Sequence, residues 1–121
     1  MMEIKVHLSG EKKIAEVISR GMLITNVADG MDLLGNLYYQ DFDCIILHAK
    51  NISPVFFDLK NGMAGEILQK FSNYRVHLAI VGDFTNYQGA SIHAFILESN
   101  KLGHVNFVSS TQEAIKRLSG K

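Results

Sequence analysis

The chain carries a single cysteine, Cys44, and a single proline, Pro54. One thiol excludes an intramolecular disulfide and any zinc site built from a cysteine cluster. An excess of one charge is also missing: 12 Lys and Arg balance 12 Asp and Glu, and the isoelectric point lies near 7.0. Without a basic surplus, composition argues against a nucleic-acid or acidic-membrane partner. A net charge of zero leaves little repulsion between copies, so self-association is tolerated. No apolar run approaches the ~20 residues of a membrane span. The opening MMEIKVHLSG is too polar for the core of a signal peptide. The expectation is a soluble, cytoplasmic protein with no nucleic-acid or membrane partner.

Several catalytic signatures are absent as well. No G-x-S-x-G elbow presents a strained nucleophile. Gly62-Met63-Ala64-Gly65 lacks the Lys-Ser/Thr pair of a phosphate loop, and Gly82-Asp83-Phe84 lacks the later glycines of a dinucleotide fingerprint. Both read as packing and turn glycines. The histidines His7, His48, His77, His93 and His104 show no metal-ligand spacing and read as scattered surface residues. No metal and no cofactor is expected.

What is present is ordinary globular material. The hydrophobic fraction of 47% and charged fraction of 20% suit one self-sufficient core, so residues 1–121 are expected to form a single domain. Ile4 to Leu8 and Ile14 to Ile18 read as two strands joined at Ser9-Gly10-Glu11-Lys12, an antiparallel hairpin. Thr25 or Asn26 can cap a helix in which Val27, Met31, Leu34 and Tyr38 recur at helical spacing. Cys44 to His48 is an apolar strand, and Cys44 reads as a small core residue. Pro54 breaks the chain after it. A helix from about Asn61 to Phe71 turns Ala64, Ile67, Leu68 and Phe71 inward. Val76 to Val81 is a strand buried on both faces. Ile92, Phe95, Ile96 and Leu97 mark a third helix, Val105 to Val108 a last strand. Ser110-Thr111-Gln112-Glu113 is a capping box opening a final helix that buries Ala114, Ile115 and Leu118. The predicted order is β-β-α-β-α-β-α-β-α. This is an α/β fold with a mostly parallel sheet and an antiparallel first strand.

In open parallel sheets, ligands collect beyond the carboxyl ends of the strands. Those positions are His48 to Ser53, Asp83 to Thr85, and Ser109-Ser110. His48 with Asp83, and Ser53 or Ser109, would supply the residue types of a Ser-His-Asp relay. The plainer alternative is a solvated histidine and an aspartate opening a turn. Cys44 and His48 are about 13 Å apart along one strand, too far for a thiolate–imidazole pair. Phe56-Phe57 beside Pro54 reads as core, the alternative being an exposed patch for a partner.

Two resemblances add to this. Phe56-Phe57-Asp58-Leu59-Lys60, Gly62, Ala64 to Phe71, Tyr74-Arg75 and Ala79 to Phe84 resemble a small bacterial family of single-domain proteins with no assigned function, over nearly the whole chain. More distantly, the element order and Cys44 to His48, Asn61 to Gly65, Val76 to Gly82 and Gln112-Glu113-Ala114 resemble the anti-sigma factor antagonist (STAS) domain. That resemblance implies a protein-binding module, often regulated by phosphorylation of a serine at the start of the central helix. Here Lys60 or Asn61 stands at the serine position, and neither carries a hydroxyl. The implied function is a non-enzymatic interaction module lacking that switch. Its surface, formed by Ser53, Asp58, Lys60, Asn61, Gly62, Asp83 and Thr85, binds a protein partner or a second copy. The alternative is a binder of small anions, or a small enzyme, using His48 and Asp83. Lys60 beside the helix N-terminus suits an anion, since cation and helix dipole act together; a solvated lysine is the plainer reading.

Overall fold

Alternation along the strands sorts their side chains onto two faces, and different helices bury each face. The computed structural model describes residues 2–87 and 89–119. Its elements are β1 (Met2–Ser9), β2 (Lys12–Ser19), α1 (Val27–Tyr39), β3 (Cys44–His48), α2 (Met63–Asn73), β4 (His77–Val81), α3 (Ala90–Leu102), β5 (Val105–Val108) and α4 (Thr111–Leu118). The sheet runs β1-β2-β3-β4-β5 in sequence order. β1 pairs antiparallel with β2 from Met2↔Ser19 to Ser9↔Lys12, and the remaining pairs are parallel. The predicted element order and mixed sheet are what the fold shows.

That monotonic order decides the layers. Each crossover from β2 to β3, β4 and β5 steps the same way, and right-handed crossovers then place every connecting helix on one face. Ala15, Ile45, Leu78 and Val105 stand in register on that face, and α1, α2 and α3 cover it with Leu34, Leu37, Ile67, Phe71 and Ile92. The helix after β5 leads to no further strand and lies on the opposite face. There Ala114 and Leu118 of α4 pack on Ile14, Cys44, Ile46, Ala79 and Val108. Cys44 is fully buried, and burial pushes its thiol up to about 11.

Three helices differ from the sequence reading. In α1 the buried residues are Gly30, Leu33, Leu34 and Leu37, whereas Tyr38 is 48% exposed. The phase shifts because α1 packs closely on α2: a Cβ at Gly30 would lie 2.9 Å from Ile67 Cδ1. Asn26 is the cap, accepting from Asp29 N at 2.8 Å, while Thr25 bonds the Asp29 carboxylate instead. α2 starts at Met63 rather than Asn61, because Gly62 takes a left-handed φ of 79°. In α3 Leu97 is 71% exposed, since this helix covers only the β5 edge and buries Ile92 alone fully.

Candidate functional site

Strands β2 to β5 run parallel, so their carboxyl ends open on one rim. Four loops meet there, and their side chains fall into three groups.

The first group was not legible as a cluster in the sequence. Glu16 of β2 lies on the α4 face, in register with Ile46, and is only 6% exposed. His7 Nε2 lies 2.9 Å from Glu16 Oε1, and His48 Nε2 lies 2.8 Å from Oε2. Thr111 at the start of α4 donates to Oε2 at 3.1 Å. Burial pushes the Glu16 carboxyl up, but hydrogen bonds from His7, His48 and Thr111 and the charge of His48 outweigh it, leaving the group below its ordinary range. An ionised carboxylate only accepts, so each Nε2 carries its proton. These two histidines are therefore not scattered surface residues; they converge on one buried anion. His77 and His104 also pair, with ring centroids 4.6 Å apart. A carboxylate that orients an imidazole is one part of a proton-transfer site, yet His7, Glu16 and His48 line neither the crevice beyond β4 and β5 nor the recess at the start of α2. Among the described residues no group of three or more His, Cys, Asp or Glu side chains could hold a metal ion.

The second group holds the residues of the expected binding surface. Ser53 accepts from Val55 N at 3.3 Å, opening a short 3₁₀ turn. Asn61 donates to Val55 O at 2.8 Å and accepts from Met63 N at 2.8 Å. Both side chains thus serve local turns. Asp58 and Lys60 remain exposed and line a recess of about 710 Å³ with Phe57, Tyr87 and Ser91. Phe57 stacks on Tyr87 at 4.7 Å, Tyr87 on Phe84 at 5.8 Å, and Phe84 meets Phe107 edge-on at 5.3 Å. Phe56 and Phe57 are buried, so the pair belongs to the core and anchors this aromatic ridge.

The third group lies beyond β4 and β5. Asp83 Oδ1 accepts from Thr85 N at 3.1 Å and from Thr85 Oγ1 at 2.6 Å. These bonds hold the Asp83 carboxyl below its usual range. Ser110 Oγ accepts from Glu113 N at 3.1 Å, as a capping box requires. The Glu113 carboxylate, however, reaches Ser109 N and Oγ at 3.3 and 3.2 Å, one residue earlier than expected. Asp83, Thr85, Ser109 and Glu113 line a crevice of about 670 Å³ with Phe84 and Phe107. His48 and Asp83 take different partners, Glu16 and Thr85, and both candidate serines are engaged in local bonds.

Residues 9–118 match the family model described as a domain of unknown function, DUF4180. The chain belongs to this family. No curated protein matches it. The match starts at the last residue of β1 and spans the rest of the sheet and all four helices, so the rim of this DUF4180 domain falls within it. No helix among the described residues is long and apolar enough to cross a membrane.

Proposed function

We propose that this DUF4180 domain is a non-enzymatic interaction module of STAS-like type that binds a protein partner, or a second copy, through the carboxyl rim of its sheet. The single observation that carries the reading is the recess at the start of α2. Pro54, Asp58, Leu59 and Lys60 form one wall of it, the half-buried Tyr87, stacked on the buried Phe57, supplies aromatic surface, and Asp58 and Lys60 stand exposed beside it. The charged groups of Asp58 and Lys60 make no hydrogen bond or ion pair among the described residues. They are free to meet a partner, whereas Ser53, Asn61, Asp83 and Thr85 hold the loops in shape. An accessible tyrosine flanked by charges that are not paired internally suits an interface, where tyrosine is enriched and the rim is polar. A hydroxyl switch has no place here, because Lys60 and Asn61 occupy the position where the resemblance expects a serine.

The test is the double charge reversal Asp58→Lys/Lys60→Glu. Affinity capture from lysate of the source organism should retain a partner on the wild-type domain and lose it on the variant. Sedimentation of both proteins would report a homodimer in the same way. Retention of every partner, and of any dimer, by the variant would remove this surface from consideration.

A further inference from the structure

We propose that the crevice between the ends of β4 and β5 binds a small organic cation, an ammonium group carried on an aromatic or aliphatic body. This site is separate from the Asp58–Lys60 recess, and failure of partner capture there leaves it standing.

The crevice has a topological cause. The chain leaves β4 toward α3 on one face of the sheet and leaves β5 toward α4 on the other. Adjacent strands whose connections diverge in this way open a gap at their carboxyl ends, which is where open α/β sheets bind ligands. Here the gap measures about 670 Å³, within the roughly 300–1,000 Å³ of small-molecule sites. Its walls are apolar: Phe84, Ile96 and Phe107 face it, with two aromatic rings already in edge-to-face contact.

Charge then selects the ligand. Asp83 and Glu113 both line the crevice, and neither has a basic partner within 4 Å among the described residues. Arg117, one turn along α4 from Glu113, instead bonds Asn106 Oδ1 and Asn100 O. The internal bonds use one oxygen of each carboxylate: Asp83 Oδ1 serves Thr85, and Glu113 Oε1 serves Ser109. Asp83 Oδ2 and Glu113 Oε2 keep their acceptor capacity. The Thr85 bonds hold the Asp83 carboxyl below its usual range, and Glu113 stands in the first turn of α4. An anion entering here would face both carboxylates, while the one basic side chain lining the crevice among the described residues, His93, is already bonded to Tyr87 O through Nε2. An ammonium would gain charge-assisted hydrogen bonds, and the half-buried Phe84 ring lines the same crevice beside its apolar body. The anionic ligand expected from the sequence fits this end of the sheet poorly.

The experiment is a titration of the full chain, followed by amide chemical shifts, with three probes of one shape: phenethylammonium, phenethyl alcohol and phenylacetate. The ammonium should give saturable shifts at Gly82, Asp83, Thr85 and Ser109, and phenylacetate should give none. The Asp83→Asn/Glu113→Gln variant keeps an acceptor oxygen at both turns and should bind the ammonium about tenfold more weakly. Equal affinity for alcohol and ammonium overturns the proposed ligand class. Absence of saturable shifts at the crevice with every probe overturns the site. Should the variant fail to fold, the comparison of the three probes on the wild type still decides.

Discussion

Glu16 shows how a single residue can be legible and yet unplaceable. Within Ile14-Ala15-Glu16-Val17-Ile18 both parities are apolar, so periodicity does not say which face the charge takes; the structure sets it beside the buried Ile14. A buried charge must be paired, but its partners come from β1, β3 and α4, and Thr111 is 95 residues away. No local signal names them. The consequence for stability follows from the depressed folded pKa. Relative to an ordinary value of 4.5, Glu16 contributes stability that is fully present above that value and is lost as pH falls through the lower folded pKa. Glu16→Gln should therefore cost about 1.5–3 kcal/mol at neutral pH, the range for hydrogen bonds to a charged group. The gap between variant and wild type should close on acidification. Urea unfolding at neutral pH and stepwise below the carboxylate range measures both. An unchanged gap at low pH would show that packing, not charge, sets the role of Glu16.

At the scale of elements, caps and faces were readable wherever their determinants are short-range. Asn26 caps α1, Ser110 caps α4, and the apolar face of α2 is the one its spacing predicted. Where a neighbouring element intrudes, the reading shifted. α1 rotated its buried face because Gly30 admits Ile67, and Glu113 bonded Ser109 because the loop before α4 turns back on it. Gly82 is the sharper case. It reads as a turn glycine, yet its φ is not among the positive ones. What demands glycine is proximity: a Cβ there would lie 2.6 Å from Ala49 Cβ and 3.2 Å from the Phe84 ring. Ala49 follows β3 directly, so this contact sets how closely the β3 and β4 loops approach. Gly82→Ala should destabilise by roughly 1–3 kcal/mol, the usual cost of overpacking. Thermal unfolding reports it; a neutral result would show that the two loops move apart freely.

At the scale of the molecule, the sheet is protected unevenly. β3 and β4 are paired on both sides and covered on both faces, whereas β1 pairs with β2 alone and exposes Val6 and Leu8. Amide exchange is slowest where hydrogen bonds are buried and doubly flanked. The expected order is slow exchange in β3 and β4 and the fastest strand exchange in β1, read by native-state hydrogen exchange. Protection of β1 equal to that of β3 would mean that its open edge is covered in solution. The same unevenness shapes the rim. Three helices crowd one face and one short helix lies on the other, so the divergence falls between β4 and β5.

Periodicity, caps and turn residues act over a few positions, so the sequence by itself determined the α/β class, the order of strands and helices, and most of their inward faces. It also named Asp83, Thr85, Asp58 and Lys60 as rim residues, because a strand end or helix start is a local event. Only the tertiary structure decided that the strands line up in sequence order, that His7, Glu16, His48 and Thr111 form one cluster, and that Glu113 shares a crevice with Asp83. Each of these depends on which distant segments pair. Pairing is fixed by the summed burial of the whole core rather than by any one stretch of chain.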